Sequence, residues 1–313
     1  MTMDKALLPL FCVSILGIPA VSFAASADMS YGELNMLMDE IVVYARKKRE
    51  KIQDVPATVG ILSSAMIEEG ALRGLKDIAA FTSNFSYDEA FGRNNLQRPV
   101  IRGMSSVFGA ANAAFFMDGI YISGGMASTP LFDLERVEVL KGPGSALYGR
   151  ATLSGAVNYI TKRPGDTLEG QFSASAASHD EYEVLARLSG PLVADKMGFS
   201  LSARHYEYGG EYKNTGPGGG TVGQEKSQSI TGALTFRPAD NFGAYLRVFY
   251  QKDDDGHTAN ALQPAAANNC FLDTGGYFCG EIKSPDSVAL NLDIFDDPGI
   301  ERSIFRTSLI MDW

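Results

Sequence analysis

After Pro164 the sequence settles into a two-residue rhythm that few folds can use. Leu168, Phe172, Ala174 and Ala176 share one face of an extended segment, with Glu169, Gln171, Ser173 and Ser175 opposite. The pattern repeats with Tyr182, Val184, Ala186 and Leu188 against Glu181, Glu183, Arg187 and Ser189. It repeats again with Met197, Phe199, Leu201 and Ala203 against Ser200, Ser202 and Arg204. Further segments carry Ile230, Leu234 and Phe236, then Phe242, Ala244, Leu246 and Val248. A sixth runs from Ser303 to Trp313, with Phe305, Leu309, Met311 and Trp313 together. Successive side chains of a strand point to opposite faces, so strict alternation predicts β-strands. Each segment is roughly ten residues long, the length a tilted strand needs to cross a bilayer. The connections Gly190–Lys196 and Arg237–Asn241 are short, whereas Glu207–Glu225 is long and Gly-rich and Lys252–Arg302 longer still. Short turns at one end and long loops at the other fit a transmembrane β-barrel better than a soluble sandwich. The short Ser178–Asp180 connection breaks that rhythm once.

The start of the chain agrees with export. Lys5 precedes an apolar run from Leu7 to Phe23, and Ser22-Phe23-Ala24 or Ala25-Ser26-Ala27 offers a small-residue cleavage site. An uncleaved membrane helix is the alternative, but Pro9, Gly17 and Pro19 interrupt the run. Residues 1–25 are therefore expected to be a signal peptide, which would take Cys12 with them. Cys270 and Cys279 remain, and two close cysteines in an exported chain predict a disulfide. Zinc is the weaker reading, because the nearest histidine, His257, stands alone. Net charge of -10 argues against nucleic acid as a partner. The 33 glycines, 18 phenylalanines and 13 tyrosines suit strands and turns.

Between these regions, residues 51–165 mix helix and strand signals. Val55, Ala57, Val59 and Ile61 mark one strand face, and Ser64–Phe81 reads as helix, with Gly70 and Gly74 as weak points. Strands are expected at Leu96–Arg102, Ala114–Ile122, Glu135–Lys141 and Ala156–Lys162, with turns at Arg102-Gly103, Asp118-Gly119 and Gly142-Pro143-Gly144. This predicts a compact α+β domain. Just before it, Glu40-Ile41-Val42-Val43-Tyr44-Ala45 is β-prone and flanked by charge, followed by Arg46–Arg49, a solvated linker or an anionic-lipid contact. Residues 40–45 serve either as an extended peptide that joins another protein's sheet or as the first strand of the α+β domain.

Several stretches together resemble a TonB-dependent outer-membrane receptor. Asp39–Ala45 resembles the TonB box and Gln53-Asp54-Val55-Pro56 the entry to the plug domain. Ile101-Arg102-Gly103, Met117–Tyr121, Leu134–Pro143, Leu147–Arg150 and Gly155–Pro164 follow the plug pattern in order. Tyr44 stands where such boxes usually carry Thr, and Ser154 replaces one Gly of a usual pair. The resemblance implies a signal peptide (1–25), TonB box and linker (26–50), plug (51–165) and partial transmembrane barrel (166–313). Barrels of this kind have about 22 strands, whereas the sequence supplies about six, and an open sheet edge is costly in lipid. The rest of the wall is thus expected from a longer chain or another source.

The resemblance further implies uptake of a scarce nutrient, with a ferric siderophore the commonest expectation and vitamin B12, haem or glycans as others. TonB, energised from the inner membrane, would contact Glu40, Ile41, Val42, Val43, Tyr44 and Ala45 from the periplasm. Arg102 and Arg136 become candidates to pair with acidic groups on the inner wall of the barrel. A plug-only binding protein or truncated form without transport is the alternative. No catalytic residues, cofactor or metal site are expected: His179, His205 and His257 lie apart, and Gly142–Gly149 lacks the Gly-Lys-Ser/Thr ending of a phosphate loop. The expected location is the outer membrane of a Gram-negative cell, in contact with its lipid.

Overall fold

The computed structural model describes residues 42–43, 50–55, 57–87, 93, 99–104, 112–124, 126–149, 151–239, 241–258, 289–293 and 299–313. The expected signal peptide, Glu40, Ile41, Tyr44, Ala45, Cys270 and Cys279 lie outside them. Two short strands come first, β1 (Val42–Val43) and β2 (Glu50–Lys51), paired antiparallel with Val42 opposite Lys51.

The α+β domain opens with β3 (Thr58–Ser63), so Val55 and Ala57 precede the strand, and Leu62 rather than Val59 or Ile61 enters the core. The predicted single helix is two: α1 (Ser64–Glu69) and α2 (Leu75–Ala80). Ser63 caps α1 by accepting the Met66 N–H at 3.3 Å. The helix stops at Gly70, where a Cβ would stand 2.8 Å from the Met66 carbonyl oxygen, and Ala71 turns left-handed with φ 47°. Asp77 then fixes the start of α2 by accepting the N–H groups of Arg73 (2.8 Å) and Gly74 (3.1 Å). The weak points at Gly70 and Gly74 thus become breaks.

There follow β4 (Phe85–Ser86), β5 (Val100–Ile101), β6 (Ala113–Met117), β7 (Ile120–Ile122), β8 (Leu134–Lys141), α3 (Ser145–Tyr148) and β9 (Gly155–Thr161). The expected strand Ala114–Ile122 is a hairpin, because Asp118 (φ 50°) and Gly119 (φ 80°) both adopt the left-handed backbone of a tight turn. Five strands form one sheet in the order β3-β8-β9-β6-β7, with only β6 and β9 parallel. β9 lies at its centre and is buried along its whole length. Leu62, Ile78, Ile101, Leu134, Val137, Val157 and Tyr159 fill the core around it, the helices covering one face. Each such side chain contributes about 1.5–3 kcal/mol by leaving water.

Residues 162–168 lead into a six-stranded antiparallel meander. Its strands are β10 (Glu169–Ala177), β11 (Glu181–Val193), β12 (Met197–Tyr208), β15 (Glu225–Ala239), β16 (Phe242–Asp255) and β18 (Ile300–Asp312). The intervening β13 (Tyr212–Asn214), β14 (Thr221–Val222) and β17 (Ala289–Leu290) form a separate small sheet. The six long strands match the predicted segments, and their burial runs opposite to that of a soluble sheet. On β12, Leu201 is 51% exposed while its neighbour Ser202 is 3% exposed. Phe172, Leu188, Leu234, Leu246, Phe305 and Leu309 also face outward, while Ser189, Arg204, Thr231, Arg247 and Gln251 are buried. A continuous apolar outer face with polar groups inside is the arrangement lipid demands of a barrel wall. Among the described residues no helix is long and apolar enough to cross a membrane.

The two long connections meet in the small sheet, where β13 pairs antiparallel with β14 and parallel with β17. Buried Asn214 joins them: its Oδ1 accepts the N–H groups of Gly216 (3.1 Å) and Leu292 (2.9 Å), and its Nδ2 donates to the Leu292 carbonyl at 3.1 Å.

Candidate ligand cavity and the polar seam beneath it

The inward face of the long sheet rests on the α+β domain through a seam of charged side chains. On β16 every second residue from the short-turn end points inward: Tyr245, Arg247, Phe249, Gln251, Asp253 and Asp255. The segment joining β7 to β8 answers them. Asp133 receives Arg187 Nε at 3.2 Å and lies 3.7 Å from Arg247 Nη2, so one buried carboxylate ties two strands to the domain. Burial pushes the Asp133 carboxyl up, against the pull of Arg247 and Arg187. Asp253 accepts Ser128 Oγ and Ser227 Oγ, both at 2.8 Å, Gln251 Nε2 at 2.6 Å, and Arg302 through Nε (3.0 Å) and Nη2 (2.6 Å). Arg306 donates to the Gly124 carbonyl (2.7 Å) and to Thr129 Oγ1 (3.1 Å).

At the short-turn end, Thr161 closes the seam. Its hydroxyl lies 2.8 Å from Asp118 Oδ2 and 3.0 Å from the Tyr245 hydroxyl, while Arg163 stacks 3.5 Å above the Tyr245 ring. Asp118 also accepts the Thr161 N–H at 3.0 Å. The tight turn therefore serves as an anchor as well as a hairpin. Burial pushes the pKa of the nearby Tyr159 hydroxyl up.

At the loop end the seam widens into a cavity of about 620 Å³, within the size of small-molecule sites. The α+β domain supplies its floor through Arg73, Lys76, Asp77, Tyr87 and Arg93, and the loop ends of β11, β12, β15 and β16 supply its side. Tyr206, Tyr208 and Tyr212 line it with Tyr87, giving it aromatic faces with polar tips. Arg93 is buried and pairs with Asp255 (Nε to Oδ2, 3.1 Å) and Glu225 (3.4 Å). Burial opposes its charge, but Glu225 and Asp255 outweigh that and raise its pKa further. Arg73 pairs with Glu181 and, at 3.4 Å, with Glu183, which also holds Arg204.

Of the residues singled out in the sequence, those among the described residues do not line this cavity. Val42 and Val43 do form a strand, paired within the chain to Lys51 and Glu50. Arg102 is exposed, has φ 54° and donates to Thr58 Oγ1 at 3.1 Å. Arg136 pairs with Glu135 and, at 2.9 Å, with Glu138. Both arginines thus make these contacts inside the α+β domain. Among the described residues, Arg73, Arg93 and Asp133 form ion pairs with the wall that sequence reasoning missed. The signal that could have found them is the row of charged side chains on the inward register of β11 and β16, each of which needs a counter-charge when buried.

A family model described as TonB-dependent Receptor Plug Domain matches residues 51–156. The chain is 30% identical over 206 residues to the probable TonB-dependent siderophore receptor PiuA of Acinetobacter baumannii, covering 64% of this chain and 26% of that protein. It is 29% identical over 172 residues to the vitamin B12 transporter BtuB of Vibrio vulnificus, covering 53% and 28%. It is 24% identical over 217 residues to the ferrichrome outer membrane transporter/phage receptor of Escherichia coli, covering 66% and 27%. Among solved structures, the ferripyoverdine receptor of Pseudomonas aeruginosa bound to ferripyoverdine aligns with a TM-score of 0.61 at 19% identity, covering 78% of this chain and 31% of that one. The ferric yersiniabactin uptake receptor FyuA of Yersinia pestis aligns with a TM-score of 0.60 at 19% identity, covering 64% and 32%. At that identity the structures establish the fold, an α+β domain against an antiparallel barrel wall. The chain spans 26–28% of the length of these curated relatives.

Proposed function

Because this chain belongs to the TonB-dependent receptors, we propose that it works as an outer-membrane receptor that takes up a ferric siderophore with energy delivered by TonB. The observation that carries this reading is the inside-out sheet: apolar side chains face outward and charged ones grip a plug domain beneath a tyrosine-lined cavity. A plug held by polar pairs can be released without exposing a large apolar surface to water, which suits a channel that opens and recloses. Relatives named for siderophores and vitamin B12 support a metal-chelate cargo. No catalytic step is proposed.

In this reading Glu40, Ile41, Val42, Val43, Tyr44 and Ala45 are the segment that TonB engages as an added strand. β1 already pairs with β2, so TonB docking would exchange Glu50–Lys51 for a strand of the partner. Arg102 and Arg136 would meet strands of the wall beyond those described, and Cys270 and Cys279 would close a subloop in the connection from β16 to β18.

The test is uptake of radiolabelled iron, supplied as ferric siderophores, by the native host, by a strain lacking this gene, and by a strain with TonB disabled. Loss of the same uptake in both mutant strains is expected. Unchanged uptake on deletion, across ferric chelates of every common class, would refute the reading. An intact mass from native outer membranes that is too small to close a barrel would favour a binding protein without transport.

A further inference from the structure

One side chain of the wall touches both the floor of the cavity and the seat of the plug. Arg302, on β18, lies directly opposite Asp253 of β16. Its Nε and Nη2 donate to Asp253 Oδ2 at 3.0 and 2.6 Å, and Nη2 also donates to Ser128 Oγ at 2.9 Å. The remaining nitrogen, Nη1, donates to the backbone carbonyl of Arg93 at 2.8 Å. Arg93 is a buried residue of the cavity floor, and its own guanidinium is held by Asp255, by Glu225 and by the Lys226 carbonyl. The wall therefore grips Arg93 at two points, side chain and backbone. Two plug segments far apart in sequence, one in the cavity and one in the seam, share a single partner.

From this we infer that Arg302 is a positioning residue that couples the floor of the cavity to the seat of the plug. A guanidinium is planar and presents its N–H groups in a fixed fork, and a hydrogen bond weakens steeply as its angle closes. Arg302 cannot follow a shift of the Arg93 carbonyl without turning that fork against Asp253 and Ser128. A change that moves Arg93 is thus felt in residues 126–133, which Thr129 and Asp133 also tie to the wall. The reverse holds equally, because coupling between two sites is reciprocal. The use of this coupling in transport rests on the uptake reading above: a ligand that draws Asp255 or Glu225 away from Arg93 loosens the seat through this one side chain.

The coupling is measured without a ligand, by hydrogen exchange of the receptor purified from outer membranes and read by mass spectrometry, so its failure would leave the uptake reading standing. Arg93→Lys keeps a charge beside Asp255 but loses the fork. Residues 126–133 should then exchange about tenfold faster, within the range for residues that share one hydrogen-bonded network. Arg302→Lys keeps a charge against Asp253, yet its single nitrogen cannot span the Arg93 carbonyl and Ser128 as the fork does. In that background Arg93→Lys should add less than about twofold, as independent sites do. The central strand β9 (Gly155–Thr161) reports on the plug as a whole and should change little in either background. Where Arg93→Lys fails to reach the outer membrane, Asp255→Asn frees the same guanidinium with the plug sequence intact and is read in the same way. No response in the parent, an equal response in Arg302→Lys, or the same acceleration in β9 as in residues 126–133 would each overturn the coupling.

Discussion

Replacing Asp253 by Asn removes one charge from the middle of the seam while keeping the volume of the side chain. The carboxylate is fully buried and accepts from Ser128, Ser227, Gln251 and both Nε and Nη2 of Arg302. An amide turns one of its two acceptor atoms into a donor, so at least one of those donors faces another donor. Removing one partner of a buried ion pair costs about 3–5 kcal/mol, and the orphaned hydroxyl falls within that figure because neighbouring losses do not add. Even the lower value corresponds to roughly a 150-fold change in an equilibrium. The loss falls on the docking of the segment that carries Ser128, since Arg302 and Ser128 meet at Asp253. Hydrogen exchange of the protein purified from outer membranes, read by mass spectrometry, should show residues 126–141 exchanging about a hundredfold faster, with the outer strands β10 and β11 little changed. Arg302→Gln in the same background should cost far less than it does alone, giving a coupling energy above about 1.5 kcal/mol. Exchange within tenfold of the parent, or strictly additive effects, would refute the claim that this carboxylate holds the plug to the wall.

Three further expectations follow from other parts of the structure. Val42→Pro removes a strand donor from the segment assigned to TonB and should abolish energised uptake while leaving surface binding intact; normal uptake would sink that assignment. Leu201→Arg places a charge at the middle of β12 on the lipid face and should lower stability in liposomes by about 2–4 kcal/mol, seen as a lower denaturant midpoint, whereas no shift would mean the outward face is not in lipid. Asp118→Ala deprives the Thr161 N–H and hydroxyl of their acceptor and should cost about 1–3 kcal/mol, measured as a lower melting temperature of the plug; a change below 0.5 kcal/mol on the scale expected for a neutral surface site would show that the turn alone is needed.

The parts of the fold that were legible in the sequence are those written in local period. Alternation at Tyr182–Leu188 or Phe242–Val248 fixes a strand and its two faces before any partner is known. Asp118-Gly119 announces its turn through the two residue types that best tolerate a left-handed backbone. The helix over Ser64–Phe81 was only half legible, because apolar spacing continues through Leu72 and Leu75, while Gly70 and the Asp77 cap decide that the chain must break between them. The seam was hidden for a different reason. Arg93, Ser128 and Asp133 sit in stretches without period, and their partners lie 162, 125 and 54 residues away for Asp255, Asp253 and Arg187. Nothing local tells Arg93 from Arg102, one of which is buried against the wall and the other exposed beside Thr58.

Those separations also order events in time. Arg302 donates to the carbonyl of Arg93 across 209 residues, and Arg306 reaches Gly124 across 182. During synthesis the plug emerges first, and these two groups that seat it follow about two hundred residues later. Contacts so distant are slow to form, because the entropy of closing the loop is spent before any of them is made. Meanwhile the strands present an outer face that water rejects, the kind of species prone to aggregate in transit. The feature that suits the finished wall to lipid is therefore a liability in water, and it lasts until β16 and β18 close over the plug.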